Sequence, residues 1–338
     1  MNDTFLKVCR GEKADYTPIW IMRQAGRYLP QYQEVRSKVD FLTLCKTPEL
    51  AAKVTIQPVE ILGVDAAILF SDILIPLEAI GMGLRFEEEK GPIFDKPIRD
   101  IKAVKRLIDI NPKEHVPFVL ETVKILKKEL KVPLIGFSGA PFTLATYMIE
   151  GGSSKTYLNT KKMMYTDPQL FKSLMDKLTT NTISYLKGQI TSGADAVQLF
   201  DSWAGILSPY DYRNFAFPYV LKIISELKTL KVPIIYFVNN CGGLLEIARE
   251  CGSDVIGIDW RVDISNAIDR IGKDKVIQGN LEPIILFSDK NQIKKAATDI
   301  IQKGKMANGH IFNLGHGILP TTPVDNLKIL IDVVHEMG

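Results

Sequence analysis

Short apolar runs ending in a polar or glycine-rich turn recur along the chain, with amphipathic stretches between them. This alternation is the mark of βα units: a strand buried on both faces reads as a continuous apolar run, and the crossover helix covers it with one apolar face. The runs lie at 19–22, 66–70, 134–137, 196–200, 234–238, 255–258, 276–278 and 311–314. Between them, 168–190 and 324–335 repeat apolar residues every three or four positions, which predicts long helices. Eight such strands predict an α/β fold, a closed (β/α)8 TIM-type barrel.

Three units echo one another. Gly63-Val64-Asp65 leads to Asp72, Gly193-Ala194-Asp195 to Asp201, and Gly252-Ser253-Asp254 to Asp259. Each reads as a helix exit, a buried strand and an acid at the strand's far end, the sign of shared βα geometry rather than of a repeated function. No composition shift or Ser/Gly/Pro-rich linker divides the chain, so residues 1–338 are expected to form a single domain, with an insertion at 82–117.

Composition narrows the class. The 338 residues are 46% hydrophobic with net charge +3, which excludes a disordered chain. No block of five or six like charges suggests nucleic acid as a partner. No run approaches the ~18 apolar residues of a membrane span, and the N-terminal stretch lacks the apolar region of a signal peptide. Cys9, Cys45, Cys241 and Cys251 show no CxxC pairing, as for reduced thiols, so a cytoplasmic location is expected.

In parallel barrels the active site lies at the C-terminal strand ends. Here those ends carry Arg23 to Arg27, Ser71-Asp72, Ser138 to Thr143 with Tyr147, Asp201-Ser202-Trp203, Asn239-Asn240-Cys241, Asp259-Trp260-Arg261, Gly279-Asn280 and Gly315-His316-Gly317. Arg23 and Arg27 stand four apart. If the turn is helical they share a face and grip anions, with Arg36 extending the patch; otherwise they are a solvated pair. Asp72 follows an apolar strand and needs a partner, either a salt bridge to Arg23 or Arg27 or the N–H groups of a ligand. Tyr147 and Ser202 are ligand-orienting groups or wall residues. His316, between two glycines, is the functional candidate among the histidines, with His115, His310 and His335 structural or exposed.

GxGxxG after a strand, GxxxxGK[ST], GxSxG and HExxH do not occur, which argues against Rossmann enzymes, P-loop NTPases, α/β-hydrolases and zincins. Cys241 and His316 could meet across the mouth, but two ligands are fewer than zinc takes, so no metal site is expected.

Residues 18–27, Pro-Ile-Trp-Ile-Met-Arg-Gln-Ala-Gly-Arg, and 136–144 through Tyr147 and Gly151-Gly152 resemble the two signatures of the uroporphyrinogen decarboxylase family. The likeness continues at 70–74, 198–202, 257–260, 278–281 and 313–317, nearly the whole chain. The resemblance implies a (β/α)8 barrel, usually a homodimer, that converts the four acetates of uroporphyrinogen III to methyl groups without metal or organic cofactor, giving coproporphyrinogen III for haem and other tetrapyrroles. The substrate is its own electron sink: a protonated pyrrole accepts the electrons of the breaking C–C bond.

Carried over by position, Asp72 resembles the carboxylate that binds pyrrole N–H groups and stabilises the cationic intermediate. Arg23, Arg27 and Arg36 resemble the carboxylate clamp, in the turn with Gln24, Ala25 and Gly26. Tyr147, Ser202 and His316 match further substrate contacts, and Phe200 is expected against the macrocycle. Arg23, Tyr147, His316 and a bound water are alternative proton donors. The competing reading on the same barrel is a zinc-dependent, cobalamin-linked methyltransferase, which resembles this family but uses a His-x-Cys motif after strand five and a distant Cys near strand eight. Here Asn239 replaces that His and His316 occupies the strand-eight position, leaving only Cys241. A catalytically inert binding barrel would require loss of matched site residues, and all are present.

Overall fold

A computed structural model describes residues 2–87 and 91–338. Its strands are β1 (Ala67–Ile68), β2 (Leu84–Glu87), β3 (Gly91–Phe94), β4 (Leu134–Gly139), β5 (Ala196–Asp201), β6 (Ile234–Val238), β7 (Val255–Gly257), β8 (Val276–Gln278) and β9 (Gly309–Ile311). Seven form one parallel sheet in the order β1-β4-β5-β6-β7-β8-β9. The expected long helices run Pro168–Ser192, started by Asp167 accepting from Leu170 N at 3.1 Å, and Val324–Met337.

The sheet curls until its edges meet across residues 18–20. Phe312 N donates to Pro18 O (2.8 Å), Trp20 N to Phe312 O (3.4 Å) and Asp65 N to Ile19 O (2.8 Å). The expected strand at 19–22 is therefore a single bridge, Ile19 with Phe312, rather than a ladder. Beyond it the backbone is diverted to side chains: Ile21 N donates to Gln24 Oε1 (3.0 Å) and Met22 N to Asn313 Oδ1 (2.9 Å). The last strand is likewise displaced from 311–314 to Gly309–Ile311, because buried Asn313 takes both Met22 N and Leu314 N on its side chain. The 82–117 insertion contains the antiparallel β2-β3 hairpin, which docks through an Ile93–Gly152 bridge.

The sequence echo has a structural cause at the opposite end of the sheet. Asp65, Asp195 and Asp254 each pair with the start of a neighbouring strand segment: their carboxylates accept from Ile19 N (2.9 Å), Leu134 N (3.0 Å) and Ile234 N (2.8 Å). Their own backbone N–H groups donate to the carbonyls of those same residues. The preceding glycines, Gly63, Gly193 and Gly252, have positive φ and end their helices. This clasp satisfies strand-end groups that would otherwise be orphaned, and it leaves the C-terminal ends for chemistry.

Inside the curl a buried polar chain crosses the apolar core. Trp20 Nε1 donates to Gln278 Oε1 (2.9 Å), and Gln278 Nε2 donates to Gln198 Oε1 (3.0 Å).

Candidate active site

The turn after the first bridge is not helical, so Arg23 and Arg27 do not share a helix face. Gln24 is fully buried, its amide tied to Ile21 N and Ala66 O, and its carbonyl accepts from the Tyr28 hydroxyl at 2.7 Å. That side chain holds the turn and is closed to a ligand. Ala25 and Gly26 are half-buried beside it, and a Cβ on Gly26 would stand 2.9 Å from Arg23 O. Arg23 itself has φ 65°, a left-handed conformation that costs a non-glycine residue about 1–2 kcal/mol. The strained backbone lays its side chain over Gly317, where an added Cβ would come 2.3 Å from Arg23 Cδ. Arg23 and Arg27 are both exposed, and among the described residues neither guanidinium has a hydrogen-bond or ion-pair partner. Arg36 differs: it ends the helix Pro30–Arg36, half-buried, and its Nη1 donates to Val39 O at 2.6 Å.

Asp72 sits just past β1. Its Oδ1 accepts from Leu74 N at 2.8 Å, and among the described residues neither Arg23 nor Arg27 lies in ion-pair contact with it. Only half-buried by area, the carboxylate is nonetheless ringed by protein. Desolvation pushes its pKa up, while the Leu74 N–H and the Arg23 charge pull it down. It is an under-compensated anion within reach of the Arg23 charge.

Tyr147 projects from the helix Pro141–Glu150, half-buried, its ring 6.0 Å from that of Trp203. Burial first, then the Asp72 charge, raises its pKa, so it is a protonated phenol at neutral pH. Trp203 is held by Thr143, whose Oγ1 accepts from Trp203 N (3.1 Å) and donates to Asp201 Oδ1 (2.7 Å). Asp201 is thus turned into the core, where Tyr236 donates to its Oδ2 at 3.0 Å. Ser202 is half-buried, its carbonyl accepting from Asn239 at 3.3 Å. Phe200, half-buried, meets Phe137 and Phe237 edge-on at centroid distances of 5.7 and 6.0 Å.

Burial raises the Asp201 pKa from 3.8 to about 6 despite the Thr143 and Tyr236 hydroxyls. The folded chain then binds this proton more tightly than the unfolded chain. The contribution to stability is complete below pH 3.8 and is lost as pH rises through about 6. Asp201→Asn, compared with the unaltered chain in urea melts across this window, is expected to lack that decline. Parallel stability profiles would refute the assignment.

His316 is half-buried across the mouth. Burial, then the charges of Arg23 and Arg261, lower its pKa to about 4, so its imidazole is neutral at pH 7. Arg23 therefore acts electrostatically on Asp72, Tyr147 and His316 alike. Of the other histidines, His310 is buried with Nε2 2.8 Å from Gly279 O, His335 pairs with Asp65 at 2.9 Å, and His115 Nδ1 accepts from Asn111 N. Cys241 is buried beside Asp259, its N–H donating to Asp259 Oδ2 at 2.6 Å. Among the described residues no three His, Cys, Asp or Glu side chains converge to hold a metal ion.

A curled parallel sheet with its polar groups gathered at the C-terminal strand ends defines an α/β barrel-like enzyme. Its mouth, where the Arg23 charge reaches Asp72 and those of Arg23 and Arg261 reach His316, suits a substrate rich in carboxylates. The uroporphyrinogen decarboxylase (URO-D) family profile matches residues 1–337. The chain is 53% identical over 340 residues to the uroporphyrinogen decarboxylase of Carboxydothermus hydrogenoformans, covering 100% of this chain and 97% of that one. It is 54% identical over 338 residues to that of Desulfotalea psychrophila, at 100% and 99% coverage. The chain belongs to the uroporphyrinogen decarboxylase family. Among solved structures, a methyltransferase from Methanosarcina mazei superposes with TM-score 0.84 at 21% identity, covering 99% of this chain and 98% of that one, a likeness of fold alone.

Proposed function

We propose that this chain decarboxylates the four acetate side chains of uroporphyrinogen III to methyl groups, giving coproporphyrinogen III in tetrapyrrole synthesis. The observation that carries the reading is an Asp72 carboxylate that, among the described residues, has no cationic partner in contact and feels the charge of Arg23, itself unpaired there, in a chain more than half identical to named decarboxylases.

Each step is R–CH2–COO⁻ plus a proton giving R–CH3 plus CO2. Protonation of a pyrrole carbon makes the ring cationic, the C–C bond electrons flow into it as CO2 departs, and the exocyclic methylene takes a proton while the ring carbon loses one. Asp72 accepts the pyrrole N–H groups and lies against the positive charge that develops, so its attraction is strongest in the transition state. Arg23 and Arg27 bind substrate carboxylates. Tyr147, Ser202 and neutral His316 orient the macrocycle, and Phe200 packs on it. The zinc methyltransferase reading is not favoured: Asn239 stands where a ligand is needed, and burial first, then the Asp259 charge, push the Cys241 thiol up, against the thiolate a metal takes. The whole chain, 1–338, acts as one catalytic domain, as a cytoplasmic homodimer; among the described residues no helix is long and apolar enough to cross a membrane.

Turnover in deuterated water tests the reading. Each newly formed methyl group is expected to carry one solvent deuteron. Methyl groups without solvent label, or none formed, would refute it. Arg27→Ala is expected to raise KM about tenfold or more with a smaller effect on kcat, since a charged hydrogen bond contributes about 1.5–3 kcal/mol and acts equally in ground and transition states. A fall in kcat at constant KM would assign Arg27 to the transition state instead.

A further inference from the structure

The loop after β7 carries a cation that the substrate clamp described above does not use. Asp259, fully buried, accepts from Cys241 N at 2.6 Å and Arg261 N at 2.9 Å, while Asn280 Nδ2 donates to Asp259 O (2.9 Å) and Val262 O (2.7 Å). The backbone on both sides of Arg261 is thereby fixed from the ends of β6 and β8. The segment after β9 closes on it as well: a Cβ on Gly315 would stand 2.3 Å from Trp260 N, so His316 rides against this loop, 6.0 Å from the Trp260 ring.

On this rigid base the Arg261 guanidinium lies 3.7 Å from the Trp260 ring centroid. Its hydrogen bonds to Asn239 Oδ1 (3.2 Å) and Asp259 Oδ1 (3.3 Å) both use Nη1. Among the described residues Nη2 and Nε have no partner, and the side chain is 45% exposed. A guanidinium carries five donors in a planar fork that matches a carboxylate, and a stacked one has already lost much of its rotamer freedom. Its charge acts on His316, and Arg261 follows β7, four strands along the curled sheet from β1, whose end carries Asp72. It therefore stands at the His316 side of the mouth, away from the carboxylate beside which the reaction proceeds.

We propose that Arg261 is a further substrate-binding residue, its free fork taking a carboxylate of the tetrapyrrole that is not reacting. This rests on the decarboxylase reading and extends it. The carboxylate can come from a propionate, which survives all four steps, or from an acetate awaiting its turn.

Steady-state kinetics of Arg261→Ala, Arg261→Gln and Arg261→Lys, with octacarboxylate and pentacarboxylate substrates, test it. Gln keeps an amide donor on this side chain but removes the charge. Ala and Gln are both expected to raise KM about fivefold or more with kcat within about twofold, to weaken the dependence of KM on salt, and to be partly rescued by Lys. An equal rise with both substrates assigns a propionate; a rise confined to the octacarboxylate assigns an acetate. A KM raised by Ala but not by Gln, or unchanged in both, would overturn the proposal and leave Arg261 as a brace for Asp259. Absence of turnover by the unaltered chain would instead overturn the reading on which it rests.

Discussion

Asp72→Asn is expected to fold like the unaltered chain and to lose a hundredfold to a thousandfold in kcat, the order seen when one preorganised electrostatic contact is removed from an active site (~3–4 kcal/mol). The substitution is isosteric, and the side-chain oxygen can still accept from Leu74 N, so the turn into residues 73–80 is kept. What disappears is the negative charge opposite the cationic pyrrole. Because desolvation dominates at this carboxylate, neutralising it relieves a strain on the folded state, and stability at neutral pH is expected to be equal or higher. Substrate binding is expected to weaken much less than turnover, since an amide oxygen still accepts a pyrrole N–H. A near-normal kcat would remove Asp72 from the centre of the mechanism.

The second large effect concerns the seam of the sheet. Trp20→Ala is expected to destabilise the fold by about 3–5 kcal/mol, the range for deleting a buried aromatic side chain. Trp20 is fully buried at the place where the curled sheet closes through residues 18–20 and Phe312. Its loss would leave a cavity there and deprive Gln278 Oε1 of its donor, with a further penalty for an unsatisfied buried acceptor. Urea unfolding followed by tryptophan-independent circular dichroism reads this directly. A loss under ~1 kcal/mol would mean that the seam repacks and does not depend on Trp20.

Particular residues explain how much of this was legible beforehand. The runs at 234–238 and 276–278 match β6 and β8 residue for residue, because strands buried on both faces leave an uninterrupted apolar signature. Ile19 to Met22 carries the same signature without the ladder, since Gln24 and Asn313 intercept its N–H groups. Periodicity records burial, not bonding partners. The β2-β3 hairpin leaves no such signature: Arg85 and Glu87 interrupt the apolar pattern, and a single residue of each strand, Leu84 and Phe94, is buried.

At the site, position along the chain was a good guide to which strand ends meet, and a poor one to where side chains turn. Arg23 and Arg27 suggested a helical face, but the left-handed backbone at Arg23 redirects its side chain onto Gly317, and no spacing rule contains that. Gln24 lies inside the signature yet serves the turn. Asp201 and Asp72 look equivalent in the sequence echo, and they part because the Thr143 and Tyr236 hydroxyls claim the first, while among the described residues the second accepts only from Leu74 N. Arg261 was visible as a strand-end cation, and the signal that singles it out, a stacked guanidinium with Nη2 and Nε unpartnered among the described residues, exists only in three dimensions.

The most direct measurement is anaerobic incubation of the purified, chelator-treated chain with uroporphyrinogen III, followed by oxidation and separation of the porphyrins by carboxylate number. The account predicts successive seven-, six-, five- and four-carboxylate products without added metal. Unchanged octacarboxylate, with stoichiometric zinc in the untreated chain, would contradict it.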